Sequence, residues 1–395
     1  MNTPIDKHEF LGLDRYTWLF SGAETPTHRG VPEAITEYLT ARSRGPGGRE
    51  RNAEVEQTCK ANLARLLRGN PEHIALLSSS SETISMIAQG LGLKAGDNVV
   101  INTLEFPSGV LPWLAQKAND VEVRLVRHRD WMISVEDILA EVDQHTRLVL
   151  TSHVSYLSGH RIDYQRLYHH LKQTQALLLL DATQSLGAVP VNMQQSDFVV
   201  CSSYKWLLAT HGIGILAVNP DRTREFRSRA IGWRGVTDMF GADRFDNYSL
   251  HADARRFELG YPSYPTIYAL NFTTGLLLDV GIERIERHIL EAGTYLIERL
   301  QGLGLEVMTP ARPEHRAGNI AFVCSDGEQV AAALLREGIL VWGGDGRLRA
   351  SVHLFNDDHD IERFTQALQA LNLSGSRASM LAMTTPSLQA PTTER

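Results

Sequence analysis

Between residues 72 and 218, short apolar runs alternate with amphipathic stretches, and this alternation restricts the fold more than any other feature of the sequence. The runs are rich in Val, Ile and Leu, as is typical of strands buried on both faces of a parallel sheet. The stretches between them have the periodicity of helices that cover such a sheet. The pattern therefore predicts an α/β fold with a mostly parallel seven-stranded sheet. The predicted strands are residues 73–77, 98–102, 122–126, 147–152, 177–180, 198–201 and 214–218.

The alternation of short strands and helices ends after this region, and one long helix is predicted over residues 282–303. The strands and helices that follow it predict a small α+β domain at residues 281–373. We predict a large domain at residues 46–280 and an N-terminal segment, residues 1–45, that packs with the small domain. Residues 374–395 are rich in Ser, Thr, Pro and Met and lack periodicity, which predicts a disordered tail. The small-domain strands are predicted at 319–323, 339–342 and 348–352.

The composition excludes several classes of protein. Hydrophobic residues are 43% of the 395-residue chain and charged residues 22%, which excludes disorder of the whole chain. The formal net charge of −7 gives no electrostatic footprint for binding nucleic acid. Residues 1–10 are charged where a signal peptide is apolar, and no run of 18 apolar residues occurs, so we expect a cytoplasmic protein without membrane contact. Three widely separated cysteines, without a Cys-x-x-Cys motif, indicate neither a disulfide framework nor a metal site.

Two polar motifs follow predicted strands at the edge where parallel α/β sheets collect their functional residues. Four serines, residues 78–81, stand between a strand and a helix, so backbone N–H groups, hydroxyls and the helix dipole favour a phosphate group there. The alternative is that Ser81 only caps the helix. Asp181 ends an apolar strand, and a buried carboxylate needs either a cationic partner or the hydrogen bonds of a helix cap. Neither motif alone identifies a ligand.

Two basic residues extend this candidate site. Lys205 follows the apolar strand 198–201, where desolvation lowers a lysine pKa and favours the neutral nucleophile that Schiff-base chemistry needs. Arg349 is predicted on a short strand, where its guanidinium can bind a carboxylate through two hydrogen bonds. A lysine whose amine reaches solvent and a surface arginine are the simpler alternatives. Together, a phosphate cradle, a carboxylate for a protonated ring nitrogen, an imine-forming lysine and a carboxylate clamp indicate pyridoxal 5'-phosphate acting on an amino acid.

Two motifs carry a resemblance to a known family. They are Asp181-Ala-Thr-Gln184-Ser-Leu-Gly-Ala-Val-Pro-Val and Asp197-Phe-Val-Val-Cys-Ser-Ser-Tyr-Lys205-Trp-Leu, and further similarity extends over residues 15–370. The chain resembles the class V aminotransferase family. These fold-type I pyridoxal-phosphate enzymes include cysteine desulfurases, selenocysteine lyases, isopenicillin N epimerase and kynureninases. The resemblance implies a homodimeric enzyme with this cofactor and with the two-domain fold-type I architecture.

The resemblance also implies roles for individual residues around the cofactor. Lys205 corresponds to the lysine that holds the cofactor and then acts as the general base. Asp181 corresponds to the partner of the pyridine nitrogen, and Gln184 to the hydrogen-bond donor to the phenolic oxygen. The positions that bind the phosphate are Ser80, Ser81, Ser202 and Tyr204.

Five further positions follow from the resemblance, two of them with departures from the family pattern. Arg349 corresponds to the arginine that binds the substrate carboxylate. Tyr156 occupies the position of an asparagine that makes the second contact to this carboxylate in the family. Phe106 occupies the position of a ring-stacking histidine, and it cannot transfer a proton. Gly260 and Tyr261 fall in a segment that reaches the phosphate of a neighbouring subunit, which implies that the sites lie at a subunit interface.

The leading functional hypothesis is a lyase-like elimination or replacement at the side chain of an α-amino acid. The alternatives are transamination to a keto acid and epimerisation. A non-catalytic protein with this fold is the least favoured, because Lys205, Asp181 and Arg349 are all present. Residues 341–349 contain no cysteine of the kind that carries a persulfide in cysteine desulfurases, and Cys324 lies in an apolar strand pattern that indicates a core position.

Overall fold

The strands of the computed structural model lie within residues 1–224 and 226–371, which are the residues it describes, so the tail predicted at 374–395 lies outside the described residues. The seven strands from residue 74 to 218 form one sheet, and six of them share one direction. The mostly parallel seven-stranded sheet is therefore confirmed. The strands are β1 (Thr17–Trp18), β2 (Ile74–Leu77), β3 (Asn98–Asn102), β4 (Glu122–Val126), β5 (Thr146–Ser152), β6 (Leu177–Asp181), β7 (Phe198–Ser202), β8 (Gly214–Val218), β9 (Asn319–Val323), β10 (Ile339–Leu340), β11 (Trp342–Gly344) and β12 (Arg347–Ser351).

The order of the large sheet is β2-β8-β7-β6-β5-β3-β4, with β8 antiparallel to both of its neighbours. Except for the edge strand β4, which is partly exposed, its strands are buried on both faces, which explains their nearly continuous apolar runs. In β6, Leu178 and Leu180 belong to the apolar core on one face of the sheet and Leu179 to the core on the other. Because each face needs apolar side chains, the observed strands begin and end within one residue of the predicted positions.

Three helices that the sequence analysis did not predict, α1, α2 and α8 in the list below, pack against one another. Among the described residues, no helix combines the length and apolarity needed to cross a bilayer. The helices are α1 (Gly30–Arg42), α2 (Pro46–Leu66), α3 (Ser80–Gly90), α4 (Leu111–Gln116), α5 (Val135–Ala140), α6 (Tyr164–Leu171), α7 (Pro220–Thr223), α8 (Tyr264–Val280), α9 (Ile282–Gly302), α10 (Gly327–Arg336) and α11 (Asp358–Ala370).

A second, antiparallel sheet has the order β11-β12-β9 and packs with α9 and α10. The single strand predicted at 339–342 is wrong, because the chain divides at Val341. The first half, β10, pairs in parallel with β1, where Thr17 lies opposite Ile339. The second half, β11, pairs with β12. The two halves have different partners, and a periodicity along one segment carries no information about which strands it will meet.

One edge of the large sheet collects the carboxyl ends of β2, β3, β5, β6 and β7. Helix α3 begins at this edge, and Gly214 of β8 allows its first turn to come close. A Cβ atom at Gly214 would lie 2.2 Å from the carbonyl carbon of Ser79. The polar segments that follow the five strands therefore meet in a small volume, as parallel topology predicts.

Candidate active site

Nine of the twelve predicted site residues line one cavity at this edge of the sheet. They lie at or just after the carboxyl ends of five strands, which explains how segments more than 120 residues apart in sequence come together. Ser108, Ser152 and Thr183 also line the cavity and were not predicted. The nine predicted residues are Ser80, Ser81, Phe106, Tyr156, Asp181, Gln184, Ser202, Tyr204 and Lys205.

Lys205 lies in the turn after β7, and its amine is the group in the cavity best suited to act as a nucleophile. Thr25 of the N-terminal segment donates a hydrogen bond from Oγ1 to the Lys205 carbonyl oxygen at 3.0 Å. The Nζ atom of Lys205 lies 5.6 Å from the centroid of the Phe106 ring. Burial and the positive charge of Arg349 lower the pKa of Lys205 to about 8, while Asp181 opposes the shift. A substantial neutral fraction at mildly alkaline pH follows from this pKa.

Asp181 is the last residue of β6 and is buried, with 8% of its surface exposed. Its Oδ1 accepts a hydrogen bond from the Thr183 N–H at 2.8 Å. Burial raises the pKa of Asp181, and the hydrogen bonds of Thr183 and the charge of Lys205 oppose the shift. A carboxylate in this environment is stabilised as the anion by a cationic group of a ligand.

Hydroxyl groups gather around the first turn of α3. Ser80 and Ser202 approach within 2.7 Å between their Oγ atoms, and Ser81 and Ser108 within 2.9 Å. The cap of α3 is Ser79, whose Oγ accepts a hydrogen bond from the Glu82 N–H at 3.1 Å. The alternative that Ser81 is the cap is therefore wrong. Because Ser79 takes this role, Ser80 and Ser81 are free to line the cavity within the first helical turn.

Gln184 is held in one orientation by three contacts. Its Oε1 accepts hydrogen bonds from Trp206 Nε1 at 2.9 Å and from Asn319 Nδ2 at 3.0 Å. Its Nε2 donates to the Gly22 carbonyl oxygen at 2.8 Å. An amide nitrogen has two N–H groups, so one remains to donate within the cavity.

Arg349 is buried next to the cavity but does not line it. Its Nη1 donates to the carbonyl oxygen of Tyr156 at 2.6 Å, and its Nε has no partner in the described part of the chain. Burial and the neighbouring Arg347 lower the pKa of Arg349 to about 9. The Tyr156 ring meets the Phe106 ring edge to face, with 5.1 Å between centroids. Tyr156 therefore lies between Arg349 and Phe106. Its backbone carbonyl contacts the Arg349 guanidinium, and its ring contacts the Phe106 ring.

Gly260 and Tyr261 are not part of this cavity. They line a neighbouring depression that also includes Ser81 and Glu82. Tyr261 is 62% exposed, and its ring contacts Trp233 at 4.8 Å between centroids. Their predicted role toward a second subunit stays a prediction.

Glu105 is a buried carboxyl group that the sequence analysis did not assign to the site. It accepts hydrogen bonds from Ser152 Oγ at 2.5 Å and from Asn102 Nδ2 at 2.6 Å, and Ser152 lines the cavity. Burial raises the pKa of Glu105 to about 7, and the charge of Asp181 acts in the same direction. Its position directly before Phe106 was the one sequence signal that could have placed it at the site. Its burial, which raises its pKa, depends on tertiary contacts that the sequence does not show.

We expect Glu105→Gln to flatten the dependence of stability on pH. The folded state holds a proton on Glu105 that the unfolded chain releases above its ordinary pKa of about 4.5. This group's contribution is therefore complete below that pH and is lost as the pH rises to about 7, by about 3 kcal/mol. Urea titrations of both proteins at pH 4.5, 6 and 8 measure the difference. Parallel profiles for the wild type and the variant would contradict the assigned environment.

The side chains that line the cavity match the functional groups of pyridoxal 5'-phosphate. The hydroxyls of Ser80 and Ser202 beside the first turn of α3 offer donors to a phosphate group. The buried Asp181 carboxylate matches a protonated ring nitrogen, and the amine of Lys205 matches an aldehyde carbon. The remaining N–H of Gln184 matches an oxygen on the ring.

Comparisons with known proteins also indicate an enzyme dependent on pyridoxal phosphate. The family described as Aminotransferase class-V matches residues 17–382. A relative from Methanothermobacter thermautotrophicus named "Probable cysteine desulfurase" is 26% identical, over 94% of this chain and 98% of its own length. The solved cysteine desulfurase of Thermococcus onnurineus NA1 has a TM-score of 0.86 at 24% identity, over 94% of this chain and 98% of its own. The cystine C-S lyase C-DES, solved with cysteine persulfide, has a TM-score of 0.84 at 20% identity, over 91% and 98%. The chain therefore belongs to the class V aminotransferase family, whose members are fold-type I enzymes dependent on pyridoxal phosphate.

Proposed function

We propose that the protein is a pyridoxal-phosphate-dependent lyase that eliminates or replaces a group on the side chain of an α-amino acid. One observation carries the proposal: Lys205, with its pKa lowered to about 8, shares a cavity with the buried carboxylate of Asp181. When bound, the cofactor supplies a sink for electrons released at the substrate Cα. The residues around it supply binding, orientation and proton transfer.

In this proposal each residue has a distinct task. Lys205 holds the cofactor and, after the substrate amine takes its place, removes the Cα proton as a general base. Asp181 holds a proton on the ring nitrogen through a charge-assisted hydrogen bond. Arg349 binds the substrate α-carboxylate with the donors that Tyr156 leaves free. Phe106 excludes water from one side of the cavity and transfers no proton.

The environment of the cysteines favours release of the leaving group into solution. Cys59, Cys201 and Cys324 are the three cysteines of the chain, and all are buried. Burial raises the pKa of each thiol. A buried thiol that stays protonated is a poor nucleophile toward sulfur. The relatives named cysteine desulfurase and the structure of the cystine C-S lyase support cleavage at the side chain of the substrate.

A homodimer is the assembly that we propose. Residues 240–248 expose three large aromatic rings, and exposed apolar side chains of this kind favour an interaction site. Phe240 is 78% exposed, Phe245 85% and Tyr248 65%. A mass in solution of one chain, 44.0 kDa, would contradict the dimer. The cytoplasmic location stays a prediction.

Reduction with borohydride tests the proposed function. The chain has six lysines, so peptide mapping after reduction of the protein with its cofactor identifies the attachment point without ambiguity. We expect the label on the peptide that contains Lys205, and no label when the cofactor is removed first. Label on Lys60, the lysine paired with Glu258 at 2.6 Å, or on an exposed lysine would overturn the proposal.

A further inference from the structure

A second arginine lies beside Arg349. Arg347 and Arg349 are two residues apart on β12, so their side chains leave the same face of the strand. Both are buried, with 1% and 3% of their surface exposed. Their guanidinium carbons lie 4.4 Å and 5.5 Å from the ring of Trp342 on the adjacent β11. Arg347 also lies 5.3 Å from the ring of Tyr156, which lines the cavity.

Arg347 has fewer partners than a buried cation needs. Its Nη1 donates to Asp345 Oδ2 at 3.3 Å, but the Asp345 side chain is 67% exposed, so this ion pair is weak. Its Nε and Nη2 are buried without any partner in the described part of the chain, as is the Nε of Arg349. A buried guanidinium with unpaired N–H groups is strongly unfavourable unless an anion satisfies them.

Two adjacent cations need more than one anion. A single α-carboxylate pairs with one guanidinium in a fork of two parallel hydrogen bonds. The other cation then remains unpaired in an aromatic environment. Residues two apart on a strand lie about 7 Å apart at Cα, a spacing that suits an amino acid with two anionic groups.

We propose that Arg347 binds a second anionic group of the substrate, so that the substrate is an α-amino acid with an acidic side chain, a carboxylate or a sulfinate. This inference rests on the proposed function, because it takes Arg349 as the partner of the α-carboxylate. It narrows the substrate from α-amino acids in general to those that carry two negative charges.

The test measures binding without turnover. Protein whose cofactor has been fixed by borohydride cannot react, and calorimetry then gives the dissociation constants of intact amino acids. The acidic probes are aspartate, glutamate and cysteine sulfinate, and the neutral probes are asparagine, glutamine and cysteine. We expect at least one acidic probe to bind about tenfold or more tightly than its neutral counterpart, because a hydrogen-bonded charge pair is lost with the neutral group. Which acidic probe binds best distinguishes a carboxylate from a sulfinate.

Two variants locate the preference. Arg347→Gln keeps a polar side chain that can hydrogen-bond but removes the charge, and we expect it to lose the preference for acidic probes. Arg316→Gln is the matched control, since Arg316 is also fully buried with an unpartnered Nη1 but donates to Leu290 O and Thr294 Oγ1, away from the cavity. This control reports the effect of losing any buried guanidinium and should keep the preference.

The outcomes separate the two proposals. Equal affinity of the wild type for acidic and neutral probes overturns the role of Arg347, and this result does not depend on the folding of any variant. A preference that persists in folded Arg347→Gln overturns it as well. Failure of borohydride to attach the cofactor to Lys205 instead overturns the proposed function itself.

Discussion

Lys205→Ala is expected to lower the turnover of amino acids by at least about 10⁴-fold, the upper end of what one positioned acid–base group contributes. Two functions disappear together: the amine that holds the cofactor and the base that removes the Cα proton. With a pKa of about 8, roughly half of the amine is neutral at pH 8. An ordinary lysine with a pKa of about 10.4 would be less than about 1% neutral. Steady-state kcat with saturating pyridoxal phosphate measures the loss.

Two further lysine variants make this result specific. Lys205→Arg keeps a positive charge but cannot form an imine, so we expect the same loss. Lys94→Ala removes an exposed lysine and should keep wild-type turnover. A folded Lys205→Ala protein that binds the cofactor and retains turnover within tenfold of the wild type would refute the role of this residue.

Asp181→Ala is expected to slow removal of the Cα proton by about 10²–10⁴-fold, comparable to the contribution of a general acid–base group. The substitution would remove the carboxylate that holds a proton on the ring nitrogen of the bound cofactor, and this loss would weaken the electron sink. Cofactor binding through the serines should persist. Exchange of the substrate Cα hydrogen for deuterium in D₂O measures this step apart from the later ones.

Asp197→Asn is the matched control for the loss of a buried carboxylate. Asp197 is fully buried at the opposite, amino-terminal end of β7, and it accepts hydrogen bonds from the Leu178 N–H at 2.7 Å and from Arg222 at 3.1 Å. Burial raises its pKa to about 6. Its replacement should lower stability and leave the exchange rate unchanged. Equal slowing in both variants would mean that Asp181 acts only through the fold.

The parts of the fold that the sequence predicted are those in which local pattern and tertiary position agree. Except for the edge strand β4, each strand of the large sheet is apolar on both faces, so its run of apolar residues identifies it directly. Helix α8 was missed because its own apolar residues lie on almost all of its sides. The sequence therefore lacks the single apolar stripe that identifies an amphipathic helix. The division of residues 339–342 was missed because β1, the partner of β10, lies more than 300 residues earlier.

The candidate site shows the same distinction. Asp181 and Lys205 were predicted because the ends of apolar strands are visible in the sequence. Glu105 and Arg347 were not, because their importance depends on burial and on the number of their hydrogen-bond partners. Glu105 looks like a loop acid and Arg347 like a surface arginine until their neighbours are known. The sequence of one segment does not contain these neighbours.

The three hydrogen bonds of Gln184 have a consequence for motion. The side chain joins Gly22 of the N-terminal segment, Trp206 of the lysine turn and Asn319 of the small sheet. A hinge that opened the two sheets would break at least one of these bonds and leave buried polar atoms unpaired, at a cost of about 1–3 kcal/mol for each. Gln184 therefore adds to the free-energy cost of separating the two sheets. Substrate entry by movement of surface loops, with the sheets fixed, is the less costly route.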